Sequence, residues 1–168
     1  MTSLGLQCGG FSSELAGHAG CPVLGWVSLN PDRAQAHIIS DNYEVVLRRY
    51  MEALGASDYA TIKSLFADDG TVTSPFLGLM PALDFLNRLG GATRGNVITP
   101  IDVFLPSGDQ QHAVAYFRYD WTVNDGTLIT FNVMDLFEFG PGTDKVGALT
   151  LIYDTHPIRQ TAGNKYEN

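Results

Sequence analysis

The chain has 168 residues, 45% hydrophobic and 11% aromatic, with a formal net charge of −8. That size and apolar content suit one domain with its own core, and a charged fraction of only 17% excludes disorder for the bulk of the chain. The acidic balance excludes a nucleic-acid or anionic-membrane partner, which needs clustered Lys and Arg, and no apolar run approaches the roughly 20 residues of a spanning helix.

Residues 1–40 are punctuated by Gly9-Gly10, Gly17, Gly20, Gly25, Cys21-Pro22 and Asn30-Pro31. Glycine and proline at this density interrupt regular structure, so a poorly ordered extension is expected. The alternative is an arm anchored by Phe11, Leu24 and Trp26 over a pocket or a partner subunit. The leader lacks the basic and apolar regions of a secretory signal. Its Cys8 and Cys21 make neither a disulfide framework nor a metal set. A reducing, cytoplasmic setting is the expectation.

The domain is expected over 41–157, with a polar tail over 158–168. Asp41 followed by Glu44 resembles a capping box, after which Val46, Leu47, Tyr50, Met51 and Leu54 recur at helical spacing up to Gly55. A second helix starts near Asp58 and presents Ile62, Leu65 and Phe66. A short strand spans Gly70–Ser74 and ends at Pro75, and Pro81 opens a third helix carrying Leu83, Leu86 and Leu89. Beyond Gly95 the period becomes that of strands: Val97–Leu105, Gln111–Val123, Leu128–Phe139 and Val146–Asp154, separated by turn residues. Helices first and hairpin-connected strands after is an α+β pattern.

The polar residues of the long hairpin are the first functional signal. Reading Asn124-Asp125-Gly126-Thr127 as a two-residue type I′ turn sets Asp120 opposite Phe131, Arg118 opposite Val133 and Tyr116 opposite Asp135. Tyr116, Arg118, Asp120, Val133 and Asp135 then share one face. The other face carries Phe117, Tyr119, Trp121, Met134 and Leu136, an apolar patch that predicts a homodimer. A slip of one residue inverts both faces. Carboxyl groups among so many apolar residues are paired in ion pairs with Arg118 or are acid/base groups in a cavity. No His/Cys/Asp cluster has metal-ligand spacing and there is no glycine-rich phosphate loop, so neither metal nor cofactor is expected.

The segment VLRRYMEALGASD (46–58), followed by LFADDGTVTSP (65–75), resembles the SnoaL-like and ketosteroid-isomerase-like branch of the NTF2-like superfamily. NVMDLFEF (132–139) and residues 145–153 resemble that family's last two strands. The resemblance implies a cone: N-terminal helices on a strongly curved, mixed, mostly antiparallel sheet, a pocket opening at one end, and a convex side that often dimerises. The isomerases use a tyrosine of the first helix and a protonated aspartic acid of a late strand as an oxyanion hole. Those positions look like Tyr50 and Asp135, while Ser74 occupies the place of the aspartate that moves the proton. In the limonene-epoxide-hydrolase branch an Arg-x-Asp is catalytic, and Arg118-Tyr119-Asp120 looks like it. There the second acid falls near Leu151 and the water-holding pair near Val72 and Ser74. The polyketide cyclases need one aspartate in an apolar pocket, here Asp120 or Asp135.

The expected catalytic group is therefore Asp135, Tyr50, Asp120 and Arg118. Ser74, Tyr116, Phe131, Val133, Phe137, Leu149, Leu151 and Tyr153 are the expected pocket residues. The function implied is a cofactor-independent acid/base enzyme, an isomerase, cyclase, dehydratase or hydrolase, acting on a small apolar or polycyclic molecule. The alternative is a non-catalytic binding or dimerisation module of the same fold.

Overall fold

The computed structural model describes residues 31–156, and the side chains of 42–156. The expectations for residues 1–30 and 158–168, including Cys8, Cys21 and the arm anchored by Phe11, Leu24 and Trp26, lie outside the described residues.

The first helix, α1, runs over Pro31–Gly55, so Asp41 and Glu44 lie inside it rather than at its start. Glu44 instead pairs with Arg48 one turn on, at 2.6 Å. Tyr43, Val46, Leu47, Tyr50, Met51 and Leu54 form one buried stripe at spacings of three and four. Helix α2 covers Tyr59–Leu65, where Asp58 caps the first turn by accepting from the Thr61 amide at 3.0 Å. Strand β1 (Phe66–Ser74) follows without a loop. A four-residue strand, β2 (Gly78–Pro81), folds back on it, an element too short to show a period in the sequence. Helix α3 (Ala82–Ala92) begins just after Pro81 and runs through Gly90-Gly91.

Four long strands complete the fold: β3 (Thr93–Phe104), β4 (His112–Val123), β5 (Leu128–Phe139) and β6 (Val146–Tyr153). The sheet order is β2-β1-β6-β5-β4-β3; β1 and β6 are parallel and every other pair is antiparallel. Pro100 lies at a bulge of edge strand β3, where a missing N–H costs no ladder bond. A second irregularity separates Phe66 from Thr71 in β1. There Gly70 is buried, and a Cβ on it would stand 2.9 Å from the Ala67 carbonyl and 3.1 Å from that of Val146. Only glycine fits that approach. The helices close one face of the sheet over a core that includes Leu47, Ile62, Phe117, Phe137 and Leu149, all nearly fully buried.

The hairpin register corrects the sequence expectation. Ala115 faces Asp135, Phe117 faces Val133, Arg118 faces Asn132 and Asp120 faces Thr130. The loop holds three residues, closed by the Val123 amide on the Thr127 carbonyl at 3.0 Å. The Gly126 amide bonds to the Val123 carbonyl at 2.9 Å, and Gly126 has φ +91° while Asp125 has none of the positive φ that a type I′ turn demands. This one-residue slip moves Asp135 to the inner face beside Phe117 and Tyr119. Arg118, Asp120 and Tyr116 move to the outer face. The apolar patch proposed for a homodimer is thereby divided. Phe117 and Tyr119 are buried inside, and Met134 and Leu136 are left outside among Arg118, Asp120, Thr130 and Asn132.

Candidate active site

Under the helices, the inner face of the sheet bounds a cavity of about 360 Å³, within the range of small-molecule sites. Tyr50 and Leu54 of α1, Phe85, Arg88, Leu89 and Ala92 of α3, and Ser74 of β1 line one side. Phe117, Tyr119 and Trp121 of β4, Phe131, Val133 and Asp135 of β5, and Leu151 and Tyr153 of β6 line the other, with Phe76 and Leu77 at the β1–β2 turn.

Among the described residues Asp135 is the one acid in this lining, and it is 1% exposed. Alternation along β5 sends it inward with Phe131, Val133 and Phe137. Its Oδ2 accepts a hydrogen bond from the Tyr50 hydroxyl at 2.9 Å, and its Oδ1 has no partner among the described residues. Tyr50 is fixed by edge-on contacts with Phe117 and Phe137, at centroid distances of 6.5 and 5.0 Å. Burial pushes the Asp135 carboxyl up to about 7, opposed only by the bond from Tyr50. Burial, and then the neighbouring Asp135 charge, hold the Tyr50 phenol well above its ordinary range. The pair is thus a neutral tyrosine donating to a carboxyl that is present in both forms near neutral pH.

The other polar groups of the lining are mostly committed. The Tyr119 hydroxyl donates to Asn96 Oδ1 at 2.6 Å, and Asn96 Nδ2 donates to the Leu54 carbonyl at 3.1 Å. Trp121 Nε1 donates to Thr93 Oγ1 at 2.9 Å. Ser74 Oγ accepts from the amides of Phe76 and Leu77 at 3.3 and 3.4 Å and also meets the Tyr153 phenol. The serine therefore braces the β1–β2 turn.

Of the residues expected from the sequence, Tyr50, Ser74, Phe131, Val133, Asp135, Leu151 and Tyr153 come together around this space. Phe137 and Leu149 are packed in the core beneath it. Arg118, Asp120 and Tyr116 are absent from the lining, because the register puts them on the opposite face. There Asp120 Oδ1 accepts from Thr130 at 2.6 Å and from Arg118 Nη2 at 3.0 Å, and these bonds hold its carboxyl below the ordinary range. The contributions of α3 and of the β1–β2 turn were not expected. The stripe Phe85, Leu89, Ala92 was the available signal, since its spacing of four and three marks one helix face. Among the described residues no group of three or more His, Cys, Asp or Glu side chains is placed to hold a metal ion, and no helix is long and apolar enough to cross a membrane.

Residues 47–145 match the SnoaL-like domain family. The chain belongs to that family. A search of curated sequences finds no match. Among solved structures, this SnoaL-like chain is similar to an NTF2-like protein of unknown function from Burkholderia pseudomallei K96243 (18% identity, TM-score 0.60, covering 71% of this chain and 95% of that one). It is also similar to an LEH-like epoxide hydrolase from M. tuberculosis (13%, 0.58, 72% and 89%). A third neighbour is TerC co-crystallised with polyporic acid (16%, 0.59, 71% and 96%). At these identities the likeness establishes the NTF2-like fold.

Proposed function

We propose that this SnoaL-like domain is an acid/base enzyme that moves a proton on a small, largely apolar molecule, with Asp135 carrying the proton and Tyr50 as its partner. One observation carries the reading: Asp135 lines an apolar cavity, and its buried Oδ1 has no hydrogen-bond partner among the described residues. A buried oxygen left without a hydrogen bond costs about 1–3 kcal/mol, a penalty with no structural return unless a ligand completes it. Ionised, Oδ1 takes a proton from a carbon acid or hydroxyl in the cavity. Neutral, the same carboxyl returns it at a second position, so the proton balance closes within one turnover. A carboxyl near 7 serves both directions at neutral pH. The Tyr50 hydroxyl, donating to Oδ2, stabilises the carboxylate between the two steps. Isomerisation, cyclisation and dehydration all fit this cycle. The neighbour TerC, met with polyporic acid, is in keeping with a small-molecule role.

The test is exchange of α-hydrogen for deuterium in a panel of small cyclic ketones, followed by NMR from pH 5 to 9. Exchange is expected to rise through about pH 7 and to fall by about 100-fold or more in Asp135→Asn. A second reading, a non-catalytic binding module, is favoured by Ser74, whose hydroxyl occupies the place of a second acid and is spent on two backbone amides. Ligands that bind without exchange above the buffer rate would select it. A cavity that binds none of the panel rejects both.

A further inference from the structure

Helix α3 turns Phe85, Leu89 and Ala92 toward the cavity, and Arg88 lies in the same stripe and in the same lining. Arg88 is the one cation of that lining, and among the described residues it has no ion pair and no hydrogen bond. Arg48 pairs with Glu44, Arg118 with Asp120, Lys63 donates to Asn87, and Lys145 donates to the Ser64 carbonyl, whereas Arg49 and Arg94 share Arg88's lack of an ion pair or hydrogen bond among the described residues but lie outside the lining. Asp84, one turn back on α3, is within helical reach of Arg88 and yet makes no bond to it. What distinguishes Arg88 among the described cations is that it borders an apolar cavity.

The remaining polar groups of the lining narrow the choice of ligand. Tyr119, Trp121 and Tyr50 have each donated their hydrogen within the protein, and Ser74 and Tyr153 meet one another. Two strong functions are left for a ligand: the buried Oδ1 of Asp135, and the exposed guanidinium of Arg88. They differ in sign and in depth. A guanidinium offers a planar fork of donors that matches a carboxylate.

We propose that Arg88 is a specificity residue: the ligand is an apolar acid, with a carbonyl or hydroxyl for Asp135 at the closed end and a carboxylate for Arg88 at the open end. This rests on the reading of Asp135 as the proton carrier, and the experiment separates the two. The probes are 2-naphthol, a series of hydroxynaphthalenes bearing a carboxylate directly or on a short methylene arm, and the methyl ester of each acid. Binding is followed by fluorescence in the full-length protein.

At least one acid is expected to bind about fivefold more tightly than its ester, the upper range for an exposed charge pair. Arg88→Gln should abolish that preference, costing the acids more than it costs 2-naphthol. Arg88→Lys should keep part of it, and added salt should reduce it in the wild type, because an exposed pair is screened. Equal affinity for every acid and its ester overturns the proposal. So does an Arg88→Gln variant that loses 2-naphthol and the acids in equal measure, since that marks a damaged cavity rather than a lost contact. The effect of Asp135→Asn on 2-naphthol tests Asp135 separately: insensitivity of that affinity sinks the proton-carrier reading, whatever the acids do.

Discussion

Two aspartates on adjacent strands meet opposite fates. Asp120 on β4 faces outward, accepts from Thr130 and Arg118, and is held below the ordinary carboxylate range. Asp135 on β5 faces inward, receives one bond from Tyr50, and is pushed up to about 7. The chemistry of the side chain is the same, and the two lie on one hairpin. What separates them is which face of the pleat each occupies, and that is decided by one residue in the loop between the strands. The outer aspartate is a solved electrostatic problem, whereas the inner one is left open toward a cavity.

The largest expected consequence is in stability. Asp135 has its folded value raised from 3.8 to about 7, so the folded state binds its proton more tightly than the unfolded chain does. Stability is then unpenalised below about pH 4, falls as pH rises toward 7, and stays low above it. The gap corresponds to on the order of 4 kcal/mol. Asp135→Asn keeps an acceptor for Tyr50 and should flatten this slope, giving a higher melting midpoint than wild type at pH 8. Chemical denaturation at pH 5 and pH 8 checks it; an unchanged slope would mean that Asp135 titrates normally. Next in size is the activity contrast: the exchange reaction should fall by about 100-fold or more in Asp135→Asn and should not change in Asp120→Asn.

Tyr50→Phe sharpens the contrast from the other side. It removes the single bond that favours the Asp135 carboxylate, so the midpoint of the pH–rate profile should move upward from about 7. A downward move would mean that Tyr50 acts against the charged form. Gly126→Ala tests the loop that sets the faces: with φ at +91°, an added Cβ should cost about 1 kcal/mol by urea denaturation. The smallest effect belongs to Asp120→Asn in stability. Its partners are solvent-exposed, and the slope between pH 4 and 7 should match wild type.

Much of this arrangement was legible in the sequence. The stripe from Val46 to Leu54, the start of a second helix near Asp58 and the four long strands follow from periodicity and turn residues. Tyr50 and Asp135 came from the family resemblance, and Asp135 also from its apolar neighbours. The faces of the hairpin were not legible. Asp-Gly serves both a two-residue type I′ loop and a three-residue loop with glycine in the left-handed position, and only the backbone tells them apart. That ambiguity carried Arg118, Asp120 and Tyr116 into the expected site and assembled a dimer patch from residues of both faces. The start of α1 was misread because Asp41 and Glu44 mimic a cap that the helix does not need, with Pro31 already suited to its first turn. Arg88 escaped notice because an arginine in an apolar stripe looks like ordinary solvent-facing polarity until the cavity beside it is known.

The parallel pairing of β1 with β6 also has a bearing on how the protein is made. Val72 and Leu149 are register partners 77 residues apart in the chain, and the strands that carry them both contribute to the cavity lining. Contacts so distant in sequence close a long loop and form slowly compared with hairpins. During synthesis, β1 emerges early and waits, with its edge open, until β6 leaves the ribosome. The chamber that holds Asp135 therefore closes only with β6, which joins β1 to β5 and brings Leu151 and Tyr153 into the lining.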